Sequence, residues 1–351
     1  MYPRSWVYDK HEVGVYHCFS RVVRRAFLMG TDSYTKKNYD HRKQWVEDLF
    51  ELVAECFKVD IVSFAVMDNH LHCILRNRPD LKKKLPPTAV ARRWLLLHPK
   101  RRDEQGQPCE PNSKELRGIT DDKQRVKKLR NRLCHISWLL GYVKEKIARR
   151  ANREDECTGH FWAKRFDMVR LETGNAVLAG SMYVDLNPIR AGIAETPESS
   201  LHTSAFRRIQ SEQARRSGQV AKDAMVDRWL APVSDRELPE NQRFAERQWR
   251  ASDDPGLDMT LEQYLELLDW TGRQLVKGKP GSIPQYLGGI LERVGISSSG
   301  WLKLVGNFGA LFKRIAGSKE SVQQHAARKG RRWFQGISSC AELLSHSRSQ
   351  K

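Results

Sequence analysis

A chain of 351 residues is long enough for two packed domains with their own cores, which excludes a single small module. Its 61 Lys plus Arg against 42 Asp plus Glu leave a formal net charge of +19, with 40% hydrophobic and 9% aromatic residues, the balance of a soluble protein that seeks a polyanion. No apolar run approaches the roughly 18 to 20 residues that cross a bilayer, and the opening MYPRSWVYDKHE has no apolar stretch ahead of a cleavage site, so neither membrane insertion nor secretion is expected.

Residues 12 to 24, EVGVYHCFSRVVR, mix β-branched and aromatic side chains and predict a strand. From Asn38 or Asp40, either of which can cap, the apolar residues Trp45, Val46, Leu49, Phe50, Val53, Cys56 and Phe57 recur at helical spacing up to Lys58. The stretch Val59 to Asn77 is apolar and β-rich, broken only at Met67-Asp68-Asn69, and predicts one bent strand or two short ones. Residues 78 to about 132 carry basic runs around a turn-rich stretch and are expected as a basic insertion, a solvated and partly helical flap. Leu133, Ile136, Leu139, Leu140, Val143 and Ile147 form the next helical stripe, backed by Lys144, Lys146, Arg149 and Arg150. HFWAKRFDMVRLE predicts a strand, and 175 to about 190 a helix stopped by Gly192. Residues 207 to 256 are charged and turn-rich, the composition of an interdomain linker, with a short helix around 221 to 230. Thr260 and Gln263 form a capping-box pattern that opens an all-helical C-terminal domain over 257 to 351, with further helices at 284 to 294, 300 to 316 and 320 to 334. Within it, residues 283 to 304 have a helix-turn-helix look that a plain helical hairpin would share.

Two constellations carry chemistry. In Asn69-His70-Leu71-His72 the alternation of a strand puts both imidazoles on one face, close enough to share a metal ion, with Leu71 on the other. Two ordinary hydrogen-bonded histidines fit the same pattern. The seven cysteines are scattered without a C-x-x-C, which fits a reducing cytoplasm and disfavours a closed zinc site; an open divalent-metal site is preferred. In Ser181-Met182-Tyr183-Val184-Asp185-Leu186-Asn187-Pro188-Ile189-Arg190, a helix would align Tyr183 with Asn187 at i and i+4 and with Arg190 a turn later. Pro188 disfavours helical geometry at Asn187, so a kink or an end is expected there, and a core tyrosine and a turn-capping asparagine satisfy the same residues. Together, a metal pair and a helical tyrosine in a basic protein point to attack on phosphodiesters; a phenol is a poor nucleophile at neutral pH unless a cation or base assists it.

These segments resemble the single-tyrosine HUH transposases, specifically the branch associated with REP sequences. The matching pieces are YHCFSRVVRR at 16 to 25, AVMDNHLHCIL at 65 to 75, GHFWAKRF at 159 to 166 and SMYVDLNPIRAGI at 181 to 193. The resemblance spans most of residues 12 to 205. It implies an α+β, ferredoxin-like antiparallel sheet with packed helices over residues 1 to 206, with His70, His72 and Asn187 as ligands of Mg²⁺ or Mn²⁺ and Tyr183 as the nucleophile. It also implies single-stranded DNA folded into repeat hairpins as substrate, cut through a 5′-phosphotyrosine, in the cytoplasm at the nucleoid, by a monomer or a homodimer. Arg21, Arg24, Arg25, Lys164, Arg165 and Arg190 are the expected DNA contacts, and Tyr16, Phe161 and Trp162 candidate stacking residues. Where that family usually has proline before Asn-His, this chain has Asp68. A non-catalytic, sequence-specific DNA-binding regulator on the same scaffold is the alternative.

Overall fold

The computed structural model describes residues 3–32, 35–218, 226–234, 249–277 and 296–335, together with 338, 343 and 344. Its centre is a five-stranded sheet in the order β2-β3-β1-β4-β5. Here β1 is Gly14–Arg21, β2 Val59–Val66, β3 His70–Asn77, β4 Asp167–Leu171 and β5 Ile315–Ala316. The first four strands pair antiparallel with one another, and that order, with a helix between β1 and β2 and helices between β3 and β4, is the ferredoxin-like arrangement. The fold is α+β, as expected.

The break at Met67-Asp68-Asn69 is a turn between two strands, closed by Met67 N–H donating to the His70 carbonyl at 2.9 Å. Register on β1 is continuous, with Cys18 opposite Cys73, Phe19 opposite His72 and Arg21 opposite His70. On β2 the register shifts between Ile61 and Ser63, a bulge that returns both Ile61 and Phe64 to one face and leaves Val62 and Ala65 on the other.

Each face of the sheet carries its own layer. On one, Tyr16, Cys18, Phe64, Leu71, Cys73 and Leu75 pack against α1 (His41–Cys56) and α5 (Ile136–Glu154). The insertion is more ordered than a flap. It folds into α2 (Pro87–Leu97), α3 (Ser113–Thr120) and α4 (Lys123–Leu133), which bury Val90, Leu97, Ile119, Leu129 and Leu133 in that core. Asn112 and Glu115 close a reciprocal capping box on α3, and Asp122 caps α4. Most of its charges therefore sit on the outside of a packed helical unit, while Arg93 is buried and donates to the Glu55 carbonyl of α1.

On the other face lie α6 (Gly174–Asp185), α7 (Asn187–Arg190) and α8 (Ser204–Arg216). The helix expected over 175 to 190 divides where Pro188 enters, as its missing N–H and its bias on Asn187 require. The same face receives α9 (Leu261–Lys277), α10 (Ser298–Leu311) and α11 (Lys319–Arg328), whose Tyr264, Trp301, Leu304, Phe308 and Val322 join one core with Ile74, Val169, Leu178 and Met182. Thr260 and Gln263 cap α9 reciprocally, as their spacing predicts. Asp185, fully buried at the end of α6, accepts from Ser204 Oγ, from Ala205 N–H and, on its other oxygen, from Tyr264 Oη at 2.6 Å, so one carboxylate ties three helices. Burial pushes its pKa up.

Other departures have local causes. The strand expected from His160 begins only at Asp167, because Gly159 at φ +116° turns the chain and Trp162 packs inward, donating to the Lys144 carbonyl at 2.9 Å. The stretch 207 to 256, expected as a linker, opens inside α8, and its Trp229, Leu230 and Ala231 are buried, with Ala231 N–H bonded to Ile61 of β2. Residues 221 to 225 of the short helix expected there lie outside the described residues, as does the predicted helix at 284 to 294 and most of the helix-turn-helix segment. The C-terminal region also supplies β5, which pairs parallel to Arg170 and Leu171 of β4. Among the described residues no helix is long and apolar enough to cross a membrane.

Candidate active site

The α6 side of the sheet does not stay apolar along its whole length. Strand alternation puts His17 and Phe19 of β1 and His70, His72 and Ile74 of β3 on that face, and the polar members gather toward the β3 end marked by His70. The His70 and His72 rings lie 4.9 Å apart, edge to face. Tyr183 of α6 stands edge-on to both His72, at 5.6 Å between ring centres, and His17, at 5.7 Å. The expected pair and the expected tyrosine thus occupy one cluster.

Their neighbours fix how the imidazoles can act. His70 Nδ1 is 2.6 Å from Asn69 Oδ1, while Asn69 Nδ2 donates to the Arg25 carbonyl. An amide oxygen only accepts, so His70 carries its proton on Nδ1 and presents the lone pair of Nε2. His72 Nδ1 is engaged in turn by His17 Nε2 at 2.8 Å. Both histidines are therefore held through Nδ1. Burial, with Arg21 adding to it, lowers the His70 pKa to about 4, and burial with neighbouring imidazoles takes His72 well below its usual value. Neutral imidazoles are the form that ligates a metal.

Asn187 is 7% exposed and turns its amide nitrogen back to the carbonyls of Tyr183, at 2.8 Å, and Val184. That leaves the amide oxygen as the only atom it can offer a cation. Among the described residues no three His, Cys, Asp or Glu side chains form a ready cage for a metal ion. The two imidazoles on one strand suit an open site that would complete its shell with oxygen ligands, with Mn²⁺ better matched to imidazole than Mg²⁺.

Tyr183 is covered from the C-terminal side. Its ring packs 5.7 Å from that of Phe308 on α10, and a Cβ placed on Gly309 would come within 2.7 Å of its hydroxyl. Gly180 on α6 has the same meaning one turn back, since a Cβ there would press on Ile74, Leu171 and Phe308 at 3.2–3.4 Å. Arg190 stands over the Tyr183 ring at 4.8 Å and donates to the Gly306 carbonyl at 2.6 Å. It therefore braces tyrosine against α10, a role its spacing alone did not suggest.

The remaining candidates separate into two places. Arg21, directly opposite His70 in the sheet, and Arg24 and Arg25 in the turn after β1 are exposed; Arg24 and Arg25 both adopt positive φ. Lys164 and Arg165 are exposed on the loop before β4, Lys164 paired to Asp167 at 2.7 Å, and with Arg4 and Lys144 they line a cavity of about 480 Å³. The aromatic candidates went to the core: Tyr16, Phe161 and Trp162 are all buried. Asp68, at the unusual position before Asn69, forms an ion pair with Lys43 of α1 at 2.7 Å. His17, which sequence reasoning passed over, is 2% exposed, and burial lowers its pKa to about 3. Its signal was present: it shares the parity of Phe19 on a strand that pairs with the His70–His72 strand.

No protein-family model matches this chain, and no curated protein matches it. Among solved structures it is similar to a REP-associated tyrosine transposase bound to a REP hairpin, at 13% identity and a TM-score of 0.35 over 60% of this chain and 86% of that one, a likeness too loose to carry an argument about this site.

Proposed function

We propose that this protein is a metal-dependent, site-specific single-stranded DNA endonuclease and strand transferase that works through a 5′-phosphotyrosine. The observation that supports it most is the meeting of Tyr183 with a histidine pair held through Nδ1, from different elements, beneath the exposed Arg21. In this reading the Tyr183 hydroxyl oxygen forms a bond to phosphorus, the bond from phosphorus to the 3′ oxygen breaks, and the phenolic proton is taken up as the 3′-hydroxyl is released. Rejoining is the reverse attack by a 3′-hydroxyl on the phosphotyrosine. His70, His72 and the Asn187 oxygen would hold a Mg²⁺ or Mn²⁺ ion, which when bound supplies charge stabilisation to the scissile phosphate. Arg21, Arg24 and Arg25 would take backbone phosphates, and the net charge of +19 draws the polyanion in. Hairpins of palindromic repeats suit such a site because they join a duplex that can be gripped by its phosphates to unpaired bases beside it.

The test is incubation with pooled single-stranded hairpin oligonucleotides and Mg²⁺ or Mn²⁺, read on a denaturing gel. Wild type forms a protein–DNA adduct, and Tyr183→Phe binds hairpins equally well but forms none. Specific binding with no adduct under either metal would replace this reading with that of a DNA-binding regulator.

A further inference from the structure

His17 has no part in the chemistry above, yet its imidazole is bonded directly to a proposed ligand. Its Nε2 lies 2.8 Å from His72 Nδ1, and the two rings are nearly parallel, 16° apart with centres at 5.1 Å. Both are almost fully enclosed, so water does not compete for this bond. One proton lies between the two nitrogens, and its owner decides what His72 can do. If His17 holds it, His72 carries its own proton on Nε2, and that nitrogen has no lone pair for a cation. If His72 holds it on Nδ1, Nε2 is a ligand atom, as the bond to Asn69 makes the Nε2 of His70.

We infer that His17 is a positioning residue that accepts the Nδ1 proton of His72, fixing both the tautomer and the ring orientation in which His72 Nε2 faces the metal. The inference rests on the proposed metal site and adds a residue to it. Partners of this kind, bonded to the far nitrogen of a ligating histidine, typically change metal affinity by about 10–100-fold when removed. Packing adds a constraint of its own: Phe19 and Tyr183 flank the pair, at 5.4 Å and 5.7 Å from the His17 ring, so His17 is held against rotation away from His72.

Two measurements on the full chain test it. In the metal-free protein, ¹⁵N chemical shifts of specifically labelled histidines report which ring nitrogen is protonated; His72 is expected as the Nδ1–H form, and His72 protonated on Nε2 in the wild type would overturn the inference. Mn²⁺ alone is then titrated into wild type, His17→Phe, His17→Gln and His72→Ala, following free Mn²⁺ by electron paramagnetic resonance, with a melting curve for each. His17→Phe should weaken Mn²⁺ binding about 10–100-fold. His17→Gln, which keeps a polar atom near the Nε2 position, should recover most of that loss, and in a His72→Ala background His17→Phe should add nothing. Wild-type affinity in His17→Phe, or an equal loss in both variants that follows their melting temperatures, would overturn the role of His17 while leaving the metal site standing. Absence of Mn²⁺ binding by the wild type would overturn both.

Discussion

The two faces of the sheet come from the same strands and hold opposite contents. On the α1 and α5 side, Tyr16, Cys18, Leu71 and Cys73 enter a closed core. On the α6 side, the residues that alternate with them, His17, Phe19, His70 and His72, form one cluster in which His17 and His72 meet Tyr183 and His17 meets Phe308 of α10. On β1 and β3 alternation alone makes this separation, so parity assigns each of these side chains to one face or the other. What differs is tolerance. The first face responds to lost volume, while the second responds to lost nitrogen and oxygen atoms.

The largest expected contrast comes from neighbours in the chain. Leu71→Ala removes a side chain 1% exposed and should cost about 2–5 kcal/mol of stability, with Mn²⁺ binding and adduct formation per folded molecule retained. His72→Ala should abolish both activities with a smaller change in melting temperature. Urea unfolding alongside the adduct assay checks the pair, and a Leu71 variant that folds but forms no adduct would break the division between the faces.

A smaller effect is expected where α10 leans on the tyrosine. Gly309→Ala places a carbon within 2.7 Å of the Tyr183 hydroxyl and must shift the ring, whereas Gly306→Ala meets only a Leu275 methyl at 3.1 Å. Displacing a reacting group by about 1 Å can cost up to about 10²-fold in rate. Gly309→Ala should therefore slow adduct formation by roughly that factor or less, and Gly306→Ala should leave it near wild type. Equal rates in the two variants would show that α10 does not set the position of Tyr183.

The smallest effect concerns how the C-terminal helices are held to the N-terminal segment. Lys329, just past α11, pairs with Asp9 at 2.7 Å, and this ammonium holds the Asp9 carboxyl below the usual range. A depressed folded pKa means stability that is present above the unfolded value near 3.9 and lost as pH falls through the folded one. Asp9→Asn should flatten stability against pH below about 4, by less than about 1 kcal/mol for a pair this open to solvent. Melting temperatures between pH 3 and 6, with an unchanged slope in the variant, would show that the tether contributes nothing.

How much of this was legible in the sequence follows range of interaction. Period-two spacing placed His70 and His72 together and Leu71 opposite, and Pro188 announced the break between α6 and α7, because both are decided within a few residues. The strand at Ile315–Ala316 could not be read, since two residues carry no periodicity and their pairing with β4 spans more than a hundred positions. Trp162 and Phe161 look like stacking residues in isolation, but Trp162 finds a carbonyl on α5 that only tertiary packing provides. For His17 parity gave its face, but its contact with His72 lies across two strands and was not legible. Asn187 was singled out by spacing, and its engagement with the Tyr183 carbonyl shows how the end of α6 is fastened.

The central claim is that Tyr183 is the atom-bearing nucleophile of a metal-assisted cut, and the most direct measurement is to digest the purified adduct with trypsin and nuclease and locate the modification by mass spectrometry. The account predicts a nucleotide joined through its 5′ phosphate to Tyr183 in the peptide running from Leu171 to Arg190, made only with Mg²⁺ or Mn²⁺. A nucleotide on any other residue, or an adduct of unchanged yield in chelator, would contradict it.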